Sequence, residues 1–414
     1  MRLALFIAVA LTLPALAGEW KEPRDRQNPE AERGASQNIG SRAENGKALR
    51  PVPTSDAKHL SLPLGSAETP GFEITAGESP APRQGCVCAY TPDVLAQPRL
   101  RGVMSPGGNM TEDDFRTLAD WGATLLRFQM VRDWHGVDGN QDLDEYDRWL
   151  EGRLDHFDTV VLPLARKYGI MVVLDLHVPP GGYDASHEAN MFHDARFADH
   201  FVELWRRIAR RFRGREGIYG YDLVNEPLQA REAAPGCEFP TLMRRAAEAV
   251  RAEDPATPVI VESNHCGSPA FFADLEPLPL VNVIYQFHFY WPWEFTHQRV
   301  LNARMWTVEW PDESHGWNRG AIDWSLKPVI EFQKKYGARI YAGEFSAVAW
   351  APGAGNYLRD CISIFEEHGW DWSYHAFREW AGWSVEHEGE DDASLRPSAD
   401  NPRKQALVEG FRRH

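Results

Sequence analysis

From about residue 99 onward, short apolar runs alternate with longer stretches whose apolar residues recur at helical spacing. The runs at 99–104, 124–128, 170–176, 219–224, 258–262, 282–287, 339–342 and 371–377 read as strands. Between them lie amphipathic stripes. One is Phe197, Phe201, Leu204, Trp205, Ile208 and Phe212; another is Leu154, Phe157, Val161, Leu164, Ala165 and Tyr168. Such stripes are faces for core packing. Thr111 followed by Asp114 has the spacing of a capping box that opens a helix. Gly122, Gly169, Gly337 and Gly369 each close a helical stretch just before a strand, where a left-handed residue is wanted. Punctuation repeated in this way predicts a βα unit used many times over, and eight such units predict a (β/α)8 TIM barrel as a single catalytic domain. An open nucleotide-binding sheet is disfavoured, because Val103–Asn109 after the first strand has two glycines but no phosphate-loop fingerprint.

The segment before the barrel has a different character. Arg2, the apolar run Leu3 to Leu13 and the small-residue pattern Ala15-Leu16-Ala17 predict a cleaved export signal over residues 1–17. Residues 18–84 are rich in Pro, Ser, Gly, Ala and charge and read as a linker or low-complexity segment. The catalytic domain is then expected over 85–414. No run approaches the roughly 18 uninterrupted apolar residues of a membrane span. A secreted or periplasmic monomer is the expectation.

Charge and composition narrow the partners. A formal net charge of −16 argues against nucleic acid, whose phosphates such a surface repels. The 16 Trp are more than a core needs, and five fall in the insertion 289–320 after the sixth strand: Trp291, Trp293, Trp306, Trp310 and Trp317. Indole faces stack on sugar rings and also suit protein interfaces, so this insertion is expected to shape a cleft. The five cysteines leave at least one unpaired. Cys237 and Cys266 follow consecutive strands and could form a disulfide.

The predicted strands end in polar groups. Arg127 lies in the second, Asp175-Leu176-His177 ends the third, Asn225-Glu226-Pro227 the fourth, and His288-Phe289-Tyr290 the sixth. Gly343-Glu344 ends the seventh, and the eighth leads into Phe377-Arg378-Glu379-Trp380. The C-terminal strand ends are where a barrel of this kind builds its site. Each residue alone has a bland reading, as a solvated loop residue or a satisfied core histidine. Six polar strand ends at one mouth do not, since unpaired buried charge is costly. Two carboxylates facing one pocket suit glycosidic bond cleavage, one giving a proton and the other attacking or activating water.

These residues resemble glycoside hydrolase family 5, a family of retaining β-glycosidases on (β/α)8 barrels. The resemblance rests on Asn225-Glu226-Pro227, on Glu344 118 positions later (344 − 226), and on Arg127, His177 and His288-Phe289-Tyr290 in order. It implies that Glu226 is the acid/base and Glu344 the nucleophile. It implies that Asn225 and His177 contact the sugar, that His288 attends Glu226, and that Tyr290 and Arg127 keep Glu344 ionised. It also implies an aromatic sugar platform after the eighth strand, for which Trp380 is the first choice and Phe377 the second, with Glu379, Trp383 and Glu386 as further candidate contacts. His375 has no role in this reading. The expected substrate is a β-linked oligo- or polysaccharide, and neither cofactor nor metal is expected. A metal-dependent hydrolase would need a His-x-His pair, which the scattered histidines do not supply. A non-catalytic sugar-binding barrel would be expected to lack one of the two glutamates. Transglycosylation would use the same residues.

Overall fold

The computed structural model describes residues 88–132, 140–300 and 307–413. The expected 1–17 signal and 18–84 linker lie outside them. Eight parallel strands close into a barrel in sequence order. They are β1 (Arg101–Met104), β2 (Leu125–Gln129), β3 (Met171–Asp175), β4 (Ile218–Asp222), β5 (Val259–Glu262), β6 (Val283–Phe289), β7 (Arg339–Phe345) and β8 (Asp371–Tyr374). All eight expected runs are therefore strands. The differences fall at their ends, where β6 and β7 run further than their apolar cores, carrying His288 and Glu344 within the sheet rather than beyond it.

The punctuation behaves as its chemistry requires. Thr111 precedes the helix Glu112–Trp121, and its N–H donates to Asp114 at 2.8 Å. Gly122, Gly169, Gly337 and Gly369 all have positive φ, between 64° and 96°. The Phe197 stripe belongs to the helix Ala195–Phe212, which buries all six of its named residues. The Leu154 stripe belongs to a longer rod. It starts at Leu143, where the Asp142 carboxylate caps two backbone N–H groups, and passes through a π-helical turn at Phe157–Val161.

Two apolar layers support the sheet. Leu100, Leu125, Val173, Tyr219, Ile260, Ile284 and Tyr341 fill the lower barrel interior. A much larger core lies between strands and helices. Close strand approach at the first pair leaves no room for a side chain at Gly102, where a Cβ would sit 1.8 Å from the Leu125 carbonyl oxygen. Gly102→Ala must therefore separate β1 from β2. We expect it to cost about 3 kcal/mol or more in denaturant unfolding; a loss under about 1 kcal/mol would show that the pair can part freely.

Register at the sixth and seventh strands positions the site. Phe287 pairs with Ala342, but His288 pairs with Glu344, so Gly343 is skipped in a bulge. A Cβ at Gly343 would meet the Gln286 side chain at 2.5 Å. Glycine here lets Gln286 fill the barrel axis while the bulge turns Glu344 beside His288.

The Trp-rich insertion is partly core. Trp310 is buried against Phe295 and Tyr357, and its indole N–H donates to Asp360. Trp306 lies outside the described residues. Cys237 and Cys266 are separate buried thiols, which corrects the possible disulfide. Cys237 lies in the field of Arg245 and Asp199, whereas Cys266 faces Glu226 and Glu262. The two loops share a barrel face but point their cysteines to different surroundings.

Candidate active site

A single arginine organises the floor of the site. Arg127, fully buried on β2, sends Nε to Asp222 Oδ2 (2.9 Å) and Nη1 to Glu344 Oε1 (2.7 Å). Its Nη2 donates to Asn225 Oδ1 and Glu262 Oε1, both at 3.0 Å, and lies 3.2 Å from Asp175 Oδ1. Four carboxylates from β3, β4, β5 and β7 thus share one guanidinium. Arginine suits this position because its rigid fork presents five donors in a plane.

Glu344 is held as an anion. Tyr290 donates its hydroxyl to Oε2 at 2.7 Å, opposite the Arg127 bond. Burial pushes this carboxyl up, but the fields of His288, His375, Arg127 and His177 outweigh it and hold it well below the ordinary range. Asp222 goes the other way. Burial raises it well above normal; Arg127 pulls it back, while Asp175 and Glu262 reinforce the rise. Like charges crowded around one cation cannot all stay ionised.

Glu226 stands across from Glu344. It follows β4 with a left-handed backbone (φ 45°), and its N–H donates to Glu262 Oε2 at 2.9 Å. Its Oε1 meets His288 Nδ1 at 3.0 Å. One ligand atom each from Glu226, His288 and Glu344 lies within 4.8 Å of the others. That grouping has metal-like spacing, but the Arg127 guanidinium already touches Glu344, and a fixed cation 2.7 Å away repels a second one.

The remaining expected residues are distributed as follows. Asn225 is buried and tied to Arg127. His177 is buried with Nδ1 2.6 Å from Asp175 Oδ2. The eighth-strand loop gives each candidate aromatic its own surroundings. Trp380 is only half-buried and packs edge-on against Trp350 and Trp383. His297, His375 and Trp383 meet the Tyr290 ring, at 5.1, 6.0 and 6.3 Å between centroids. Phe377 faces outward onto Trp121, and Glu386 is held by Arg378. Glu379 Oε2 accepts from Gln129 Nε2 at 3.1 Å and lies 3.3 Å from His375 Nε2. His375 thus gains a place, since its field reaches both Glu344 and Glu226.

Sequence reasoning missed Glu262, Gln286, Asp222, His375 and Gln129. For Glu262 the signal was present: Val259-Ile260-Val261-Glu262 is another apolar run ending in a carboxylate. Gln286 sits inside β6 and Asp222 closes β4, and only the closed barrel makes them neighbours.

Comparison with known proteins bears on the family and the fold. The family model for cellulase (glycosyl hydrolase family 5) matches residues 93–385. Endoglucanase C of Acetivibrio thermocellus is 27% identical over 297 residues, covering 64% of this chain and 84% of that protein. Cellodextrinase A of Ruminococcus flavefaciens is 27% identical over 271 residues, covering 62% and 75%. Among solved structures, Cel5A of Thermotoga maritima, a mutant form in complex with cellobiose, superposes with a TM-score of 0.60 at 21% identity, covering 76% of this chain and 97% of that one. The cellulose synthase subunit Z of Clostridioides difficile superposes with a TM-score of 0.57 at 19% identity, covering 75% and 99%. At such identities the structural likeness speaks to the fold. The family match spans most of the chain, which therefore belongs to glycosyl hydrolase family 5 and is an O-glycosyl hydrolase.

Proposed function

We propose that this enzyme cleaves a β-linked glucan with retention of anomeric configuration, Glu344 acting as nucleophile and Glu226 as acid/base. The observation that carries the reading is the pairing of Glu226 and Glu344, with carboxylate oxygens within 4.8 Å of each other. Retaining glycosidases hold their carboxyl groups about 5–5.5 Å apart, whereas inverting ones leave about 6.5–9.5 Å for a water. Glu344, bound by a guanidinium and a phenol, is an anion ready to attack the anomeric carbon. Glu226 protonates the departing glycosidic oxygen, which leaves as an alcohol. Water then gives its proton to Glu226 and its oxygen to the anomeric carbon, releasing Glu344. A sugar hydroxyl can take the place of that water, so transglycosylation is a partition of the same intermediate.

The glucan assignment is supported by the relatives named endoglucanase and cellodextrinase. Export is supported by Arg2 and the apolar run after it. N-terminal sequencing of protein recovered outside the cytoplasm is expected to begin near residue 18.

A panel of β-glucans, mannans and aryl β-glycosides, with NMR of the first products, tests substrate and stereochemistry together. β-Configured first products from a glucan are expected; α-configured ones would overturn the mechanism. Glu226→Ala provides the second test. Its kcat is expected to fall about 10²- to 10⁴-fold on substrates with poor leaving groups and much less on activated aryl glycosides. Added azide should then yield a β-glycosyl azide. An equal loss on both substrate types would remove Glu226 from the acid role.

A further inference from the structure

Glu262 ends β5 beneath the site, and the two-glutamate mechanism leaves it unused. Four donors converge on its carboxylate: Gln286 Nε2 at 2.5 Å, the Glu226 N–H at 2.9 Å, Arg127 Nη2 at 3.0 Å and His288 Nε2 at 3.3 Å. That matches the roughly four lone-pair sites that an ionised carboxylate offers. His288 carries the contact onward, since its other nitrogen lies 3.0 Å from Glu226 Oε1. A continuous carboxylate–imidazole–carboxylate chain therefore runs from β5 through β6 to the tip of β4. The neighbouring turn leaves it room, since a Cβ at Gly267 would lie 2.9 Å from Glu262 Oε2 and 3.2 Å from the His288 ring.

We propose that Glu262 is a positioning residue that keeps His288 charged and aimed at Glu226, so that one proton is held between Glu226 and His288 across the working pH range. The proposal rests on the reading of Glu226 as the acid/base. His288 faces Glu226 after β4, Glu262 on β5, Glu344 Oε2 on β7 at 3.7 Å, and Gln286 on its own strand. Glu262 in turn faces Arg127 on β2, and Asp222 on β4 feels its charge. Burial alone would strip the proton from His288; the anions Glu262 and Glu344 and the bond to Glu226 reverse this and hold it well above its ordinary range. During the reaction Glu344 becomes a neutral ester, and one of these anions is lost. Glu262 never reacts, so it is the fixed charge that still faces His288 while Glu226 takes its proton back from water. The same carboxylate holds the Glu226 backbone N–H and so sets the angle from which Glu226 reaches the leaving oxygen.

The pH profile of kcat/KM tests this. Removing an anion lowers the proton affinity of the groups beside it. Glu262→Gln is therefore expected to move the alkaline limb to lower pH by about one unit, and the same change in a His288→Asn background is expected to move it no further. An unmoved limb with uniformly lower kcat would overturn the proposal, leaving Glu262 a structural residue only. The wild type gives a check that does not depend on a variant folding. By NMR titration, His288 should remain an imidazolium up to the alkaline limb, and a neutral His288 across the active range would overturn it as well. Failure of the underlying reading looks different. The Glu226→Ala enzyme would then give no β-glycosyl azide, whatever Glu262→Gln does.

Discussion

Replacing Glu344 by alanine is expected to stop turnover, with kcat down at least about 10⁴-fold, because the covalent route loses its nucleophile. Azide fills the vacated space and attacks from the same face, so the rescued product should be the α-glycosyl azide, inverted relative to the substrate. The loss should not come from unfolding. Glu344 is one of four carboxylates sharing Arg127, and removing it leaves that guanidinium with Asp175, Asp222, Glu262 and Asn225. One like charge is gone from a crowded, buried group. Tyr290 loses its acceptor, at about 1 kcal/mol, and the cations that hold Glu344 ionised lose one of their anions. The thermal midpoint by circular dichroism is therefore expected to fall by several degrees with the enzyme still folded. An active Glu344→Ala enzyme would sink the assignment. An inactive and unfolded one would instead contradict the account of how the charges are shared.

This asymmetry between activity and stability explains what could be read from the sequence. The barrel was legible because its signals are local. An apolar run of five or six residues, a capping Thr111 and a closing Gly122 each state their structure within a few positions. The two glutamates were legible for the same reason, since each ends such a run. Their surroundings were less so. The Arg127 bonds to Asp222, Glu262 and Glu344 span 95, 135 and 217 positions, and no periodicity announces a contact made only when the sheet closes. The bulge at Gly343, which sets Glu344 beside His288, is a one-residue slip in pairing and leaves no trace in the apolar pattern. The eighth-strand loop was the hardest part, because Trp380, an aromatic of the expected type, stands near the strand end. Only packing across the loop sets each ring's surroundings: Trp380 places its edge on Trp350 and Trp383, whereas His297, His375 and Trp383 meet Tyr290.

Arg127→Met should show the largest effect on stability. The arginine has no exposed surface, and methionine fills much of its stem volume while removing every donor of the fork. Asp175, Asp222, Glu262 and Glu344 would then be buried around an apolar side chain. Breaking one buried pair from one side costs about 3–5 kcal/mol, and here several carboxylates lose their shared partner together. The sum rivals the roughly 5–15 kcal/mol that stabilises a whole domain, so little folded protein is expected at neutral pH. Acid should help the variant, whereas the Glu344 contribution in the wild type moves the other way. In the wild type, the Glu344 carboxyl is held well below its unfolded range, so its contribution is present above that range and is lost as pH falls. In the variant, desolvation without a countercharge raises the buried carboxyls above their unfolded values, so the folded state binds more protons and gains stability as pH falls. Urea unfolding midpoints measured from pH 7 to pH 4 are thus expected to rise for Arg127→Met, over a range in which this Glu344 contribution can only fall. Arg127→Lys should lie between the two at neutral pH, since one ammonium restores the charge but cannot span the positions of Nε and both Nη atoms. A methionine variant as stable as wild type at pH 7 would mean that the four carboxylates reach water or share protons without needing the arginine, and the charge-sharing account of the site would fall with it.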